Sequence, residues 1–392
     1  MSQFFPGQRW ALRQRVFDNG QTVIHWRPLA DTPARATVIT FHHIGENDPE
    51  QAGFGEQFLA DQGCDVVAVQ KRAENWYQDL DIAAFRDAVI PLIAAQPRVF
   101  TYGASMGAYA ALYFAEAVGA LAIALSPRIS IHPGYADLAP PAFARLAVLR
   151  HGTLAEAAGG ASPRPHLVAY DPHDRLDARY FAAEVRPAFP GATYLRLPHF
   201  GHPVLQALYQ MDRLKPLLLG MLAGKPVPDS RSLTRGVKDR SAVYLRNLVG
   251  ACVPRGRDRT VVGLCDRAIA LEPANVQQHW LRSTALSRLG RIAEAAAAAE
   301  ATVALAPENA GLRAHLAWML DRNAEPERAL EAIEAALALD DRPARPHAHR
   351  SLLLERLGRI GAAVDAATAA AARGLGDADI QALLARLRNR VG

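Results

Sequence analysis

The chain has 392 residues, 50% of them hydrophobic and 21% charged, with a net charge of +5 and three cysteines. That composition excludes a disordered or collagen-like chain and leaves room for two or three domains, each with its own core. Cys64, Cys252 and Cys265 form no C-x-x-C pair, so neither a zinc module nor an oxidised secreted scaffold is expected.

The net charge is local. Residues 1–211 hold 17 Lys/Arg against 19 Asp/Glu, residues 212–259 hold 11 against 4, and residues 260–392 hold 16 against 16. The basic stretch has few aromatics to stack bases and no recognition motif, so it reads as a junction and nucleic acid is not expected as a partner. The N-terminus MSQFFPGQRWALRQRVF lacks the basic start and apolar core of a secretory signal, and no uncharged run reaches about 18 residues. A cytoplasmic protein with no membrane span is therefore expected.

In chain order, RQRVFD and QTVIHWRPL flank Asp18-Asn19-Gly20, an Asn-Gly hairpin signal. Short runs rich in Val, Ile and Phe follow: ATVITF (36–41), DVVAVQ (65–70), RVFTYG (98–103), ALAIAL (120–125), HLVAY (166–170) and ATYLRL (192–197). Amphipathic stretches lie between them, which predicts a hairpin feeding a mostly parallel sheet with helical crossovers. Residues 127–165 leave space for a small cap, 221–241 read as a basic linker, and the first domain is placed at 1–220.

After residue 240 the strand-like runs stop and Ala, Leu, Arg and Glu take over. Ala270-Leu271-Glu272-Pro273 recurs as Ala304-Leu305-Ala306-Pro307 and, diverged, as Ala338-Leu339-Asp340-Asp341. Gly256, Gly290, Ala324 and Gly358 repeat the same 34-residue spacing midway through each unit, where one helix would turn into the next. A 34-residue unit of two helices with a small residue at the turn resembles the tetratricopeptide (TPR) repeat. Units are placed at about 242–275, 276–309, 310–343 and 344–377, with 378–392 as a capping helix. The resemblance implies a solenoid that binds a protein or peptide partner. Cys252 and Cys265 fall where the helices of a unit meet and are expected to be packing residues, as are His279, His315, His347 and His349 at the surface or between helices.

Gly103-Ala104-Ser105-Met106-Gly107 fits G-x-S-x-G directly after a strand-like run and directly before the helical MGAYAALYFAEA. This is the strand-turn-helix setting of a nucleophile elbow, in which small flanking residues let the turn close and leave the serine hydroxyl exposed. A serine needs a base, and the base needs an orienting acid. Asp171-Pro172-His173-Asp174-Arg175 follows HLVAY, and Pro198-His199-Phe200-Gly201-His202 follows ATYLRL. With its partners in this order, the first 211 residues resemble an α/β-hydrolase, the fold class expected for the first domain, with helices on both faces of the sheet.

The resemblance implies Ser105 as nucleophile, His202 as base and Asp174 as acid, with His199 as the competing base. Asp171 and Asp177 remain competing carboxylates, one of them capping the following helix. It also implies an oxyanion hole from the N–H of Met106 and one from His43 or Ile44 in the loop after ATVITF, where His43 stands at a usual glycine. His42 either braces that loop or contacts substrate. The segment Lys71–Gln78 carries Trp76 and Tyr77, which either pack under the crossover helix or stack a sugar or other flat ring. Among the His and Asp side chains of the strand-end loops no H-x-H or H-x-x-x-H pair offers a preformed metal face, so neither metal nor cofactor is expected. The expectation is a serine hydrolase cleaving a small-molecule ester, with a carbohydrate- or lipid-linked ester as the candidate substrate, fused to partner-binding repeats. A non-catalytic scaffold and an acyltransferase using the same triad are the alternatives.

Overall fold

The computed structural model describes residues 12–29, 34–129, 131–135, 137, 149–374 and 378–390. The described residues divide into two compact units, 1–244 and 245–392.

The first unit is built on one mixed eight-stranded sheet. Its strands are β1 (Gln14–Asp18), β2 (Thr22–Arg27), β3 (Thr37–Phe41), β4 (Asp65–Lys71), β5 (Val99–Ala104), β6 (Leu121–Leu125), β7 (Leu167–Tyr170) and β8 (Thr193–Arg196), in the order β1-β2-β4-β3-β5-β6-β7-β8. Each coincides with an apolar run read from the sequence. The hairpin β1-β2 is antiparallel, β2 pairs antiparallel with β4, and the remaining neighbours are parallel. At the hairpin turn the Asp18 carboxylate accepts from Gly20 N and the Asn19 side chain accepts from Thr22 N, so the Asn-Gly signal acts through side chains that satisfy the turn's own amides.

The parallel strands β3 to β7 are buried along nearly their whole length because both faces are covered, whereas Thr193 and Arg196 of β8 are exposed. Ile39 and Val67 pack into one layer with Phe85, Tyr109 and Phe114, while their neighbours Val38 and Val66 pack into the other with Phe100, Leu208 and Leu218. The helices are α1 (Glu56–Asp61), α2 (Ile82–Ile93), α3 (Met106–Ala115), α4 (Leu154–Ala157) and α5 (Arg175–Tyr180), which widens through a π turn (Phe181–Val185) into α6 (Arg186–Ala188). After β8 come α7 (Val204–Gln210), α8 (Leu214–Leu222) and α9 (Ser230–Thr234).

One boundary expectation changes, and another falls partly outside the described residues. Residues 221–241 are not a free linker: Leu233 and Val237, four apart across α9 and its exit, are buried with Leu218 and Val243, and Arg213 Nε donates to Leu233 O at 2.9 Å. Of the expected cap at 127–165, residues 130, 136 and 138–148 lie outside the described residues; the remainder includes α4, capped by Thr153 in a capping box with Glu156.

The second unit is a run of paired helices. They are α10 (Ala242–Cys252, in which the division between units falls), α11 (Asp258–Leu271), α12 (Val276–Arg288), α13 (Ile292–Leu305), α14 (Ala310–Arg322), α15 (Pro326–Leu339), α16 (Ala344–Arg356), α17 (Ile360–Ala372) and α18 (Ala378–Arg388). The 34-residue period has a physical content at every level. Gly256, Gly290, Ala324 and Gly358 all take positive φ (63°, 77°, 61° and 75°), because each reverses the chain between two helices. Cys265, Ala299, Ile333 and Ala367 are each fully buried, and Cys252 lies in a second such series with Leu286, Leu320 and Leu354. Both cysteines are therefore core positions, and burial pushes the Cys265 thiol up to about 12. A third series caps each unit: His279, Arg313 and His347 bond back to the carbonyls of Pro273, Pro307 and Asp341.

Ala324 is the one member of the turn series with a Cβ, and left-handed backbone costs a non-glycine residue about 1 kcal/mol. Ala324→Gly is expected to stabilise the second unit by about 0.5–1 kcal/mol, read as a higher melting temperature. A lower one would mean that the lost unfolded-state restriction outweighs the relieved strain.

Candidate active site

The parallel strands share one carboxyl edge, and the loops leaving β3, β5, β7 and β8 meet there. Ser105 sits between β5 and α3 at φ 55° and ψ −118°, a conformation costing about 1–3 kcal/mol unless its surroundings fix it. They do. Ser105 N donates to Leu125 O at 2.9 Å, and Ser105 O accepts from the amides of Ala108, Tyr109 and Arg128 at 3.1, 3.1 and 3.2 Å. A Cβ on Gly103 would lie 2.2 Å from Gly107 O, and one on Gly107 would lie 2.3 Å from Phe41 O. The two glycines of the motif are thus required by backbone approach.

His202, in the loop between β8 and α7, places Nε2 2.8 Å from Ser105 Oγ and Nδ1 3.0 Å from both carboxylate oxygens of Asp177. With Nδ1–H donating to Asp177, Nε2 is the acceptor facing the hydroxyl. Asp177 is 1% exposed. Burial raises its pKa; His202 and Arg128, whose Nε is 2.8 Å from Oδ1, pull the other way and favour the anion.

The carboxylate on the histidine is therefore not Asp174. Asp174 is the N-cap of α5: its Oδ1 accepts from Asp177 N at 2.9 Å and pairs with Arg128 at 2.7 Å. Asp177 follows at the third helical position, one turn further in, where its side chain meets the imidazole. Asp171 takes neither role. It ties two loops together, accepting from His173 N at 2.8 Å and from Gly201 N, beside His202, at 2.7 Å. His199, at φ 67°, stacks its ring on His173 with centroids 4.6 Å apart, while its neighbour His202 takes the place beside Ser105.

Next to Ser105 lies a cavity of about 420 Å³. Its walls are mostly apolar, among them Ile44, Phe54, Leu125, Pro203 and Leu205, with His43, Arg128 and His202 as polar groups. Met106 N is the first amide of α3 and has no acceptor within the helix, so it is available at the serine. His43 and Ile44 line the same cavity from the loop after β3, which agrees in place with an oxyanion role for either amide.

The other expected contacts lie elsewhere. His42 is 2% exposed and does not line this cavity; its Nδ1 is 3.3 Å from Glu46 Oε2, and burial holds the ring below its ordinary pKa. Trp76 and Tyr77 are fully buried, so they offer no stacking surface. Trp76 Nε1 donates to Arg128 O at 3.2 Å, and Tyr77 Oη donates to His42 O at 3.0 Å. These aromatics support the site from beneath. Arg128 and Asp177 are the residues at the site to which the sequence reading gave little or no weight. Arg128 follows β6 in Ser126-Pro127-Arg128 and carries no motif.

No family model matches the chain, and neither does any curated protein. Solved structures similar to its helical C-terminal region are TPR-repeat proteins. The MamA protein is 15% identical over 38% of this chain and 81% of its own, with a TM-score of 0.37. YrrB, described as a TPR protein with an unusual peptide-binding site, is 16% identical over 41% and 82%, also at 0.37. The Yersinia enterocolitica type III secretion chaperone SycD, solved with a peptide of the translocator YopD, is 12% identical over 30% and 94%, at 0.28. At TM-scores this low the likenesses carry no argument, and both units are read from their own residues. Among the described residues no helix is long and apolar enough to cross a membrane.

Proposed function

We propose that the first unit is a serine hydrolase of the α/β-hydrolase type acting on esters and that the repeats hold a protein or peptide partner. The observation carrying this reading is the hydrogen-bonded chain Asp177–His202–Ser105, at 3.0 and 2.8 Å, on a strained elbow beside an apolar cavity. Ser105 Oγ attacks the ester carbonyl carbon while its proton passes to His202 Nε2, and the amides of Met106 and of His43 or Ile44 hold the oxyanion. The carbonyl re-forms as the ester C–O bond breaks, and His202 returns the proton to the departing alcohol. Water then repeats the sequence on the acyl-serine, releasing the acid. The apolar walls favour an ester with an apolar acyl or alcohol group. A carbohydrate substrate loses its support with the burial of Trp76 and Tyr77.

A second reading, a scaffold acting through its repeats, is favoured by the unbroken 34-residue helical array of the second unit. A fluorophosphonate probe separates the two. Labelling of the full chain that disappears in Ser105→Ala is expected; absence of labelling in a folded wild type would leave the scaffold.

A further inference from the structure

We propose that the ion pair of buried Lys71 with half-buried Glu74 is a positioning clamp for the loop that supplies the second oxyanion donor, an inference that rests on the hydrolase reading above.

Lys71 ends β4, next to β3 in the sheet, with Val69 opposite Phe41. The register sets the end of β4 beside residues 42–47, which leave β3 along the cavity. Lys71 is fully buried. Its Nζ donates to Glu46 O at 2.8 Å and to Asn47 Oδ1 at 2.6 Å, and lies 3.2 Å from Glu74 Oε2. Glu74 Oε1 accepts from Gly45 N at 2.7 Å and from Asn47 Nδ2 at 2.9 Å. Three residues further on, Tyr77 Oη holds His42 O. The loop is thus gripped at His42, Gly45, Glu46 and Asn47, on both sides of His43 and Ile44, the two residues that line the cavity with Ser105.

The chemistry of the pair suits this task. An ammonium removed from water is costly unless several acceptors and an opposite charge surround it, and an isolated tie between two loops does not need one. Here one cation and one carboxylate together hold two backbone groups and an amide side chain, fixing the direction of the intervening N–H groups as well as the position of the loop. Oxyanion donors contribute only when aimed at the oxygen of the tetrahedral intermediate, and a displacement of about 1 Å costs on the order of 100-fold in rate. The segment Lys71–Tyr77 therefore acts on the reaction through the loop without touching substrate.

The test uses the full-length protein with 4-nitrophenyl butyrate as substrate and a fluorophosphonate as probe. Lys71→Met and Glu74→Gln are expected to lower kcat by about 10–100-fold, with KM within about a factor of two, and to slow labelling by a similar factor. Lys71→Arg, which keeps the charge, is expected to recover part of the loss. A role in stability alone would lower the melting temperature and leave kcat per labelled serine unchanged, and that result would overturn the clamp. If Lys71→Met fails to fold, the near-isosteric Glu74→Gln decides the matter. A wild type labelled at Ser105 with unimpaired variants rejects the clamp only; a folded wild type that is not labelled rejects the hydrolase and the clamp with it.

Discussion

Asp177→Asn is expected to lower kcat about 10⁴-fold, the size of effect that follows when an orienting carboxylate is replaced by an amide and the imidazole can take the wrong tautomer. Among the described residues Asp177 is the carboxylate on His202 Nδ1, at 3.0 Å through both oxygens. Asp174→Asn, three residues away, should leave kcat within about tenfold, because Asn caps a helix as well as Asp does and the Arg128–Asp177 contact survives. Turnover of 4-nitrophenyl butyrate per labelled serine measures both. A large loss in Asp174→Asn with Asp177→Asn near wild type would return the acid to Asp174.

The same substitution is expected to separate activity from stability. Burial raises the pKa of Asp177 above its unfolded value, so the folded chain binds that proton more tightly than the unfolded one. Stability then falls as pH rises through the interval between the two values, and above it the anion is a net cost to the fold. Asp177→Asn removes that cost while its amide oxygen can still accept from Arg128. Above this interval its melting temperature is expected to match or exceed that of the wild type, and the difference should shrink on acidification. A clear loss of stability at pH 8 would show that the ion pair with Arg128 outweighs the burial of Asp177.

The strands were legible because parallel strands covered on both faces are written as uninterrupted Val/Ile/Phe runs, and the repeats because left-handed turn residues recur at a fixed interval. Ser105 and His202 were legible for a related reason: each sits beside a glycine that local geometry demands. The acid was not. Asp171, Asp174 and Asp177 are spaced by three on one loop and one helical turn, and their roles are set by where α5 begins and by Arg128, which lies more than forty residues earlier. An Asp followed three residues later by another acid is itself an N-terminus signal, but Asp171 with Asp174 fits it as well as Asp174 with Asp177, so the pattern alone does not choose the cap. For Trp76 and Tyr77 the sequence left packing and stacking both open, and the structure takes the first. Their loop folds inward because Arg128 O and His42 O accept their donors, and partners this remote leave no local pattern. The basic junction was misread by its charge, which hid Leu233 and Val237, four residues apart and both buried.

Gly107→Ala is expected to damage both the fold and the site, by about 3 kcal/mol in stability and about 100-fold or more in kcat. The added methyl would lie 2.3 Å from Phe41 O and 2.9 Å from His42 O, both backbone atoms that no side-chain rotation can clear. Phe41 cannot retreat freely, since β3 is held between β4 and β5 in the centre of the sheet. The strain must then pass either into α3, tilting the elbow and Ser105, or forward into residues 42–47, moving His43 and Ile44 away from the serine. Lys71, Glu74 and Tyr77 oppose the second route, so more of the displacement is expected at Ser105, whose 2.8 Å contact with His202 would lengthen. Thermal melts and kcat per labelled serine measure the two losses separately. A variant that melts with the wild type and keeps its kcat would show that β3 and α3 part without resistance, contrary to the close approach on which the elbow depends.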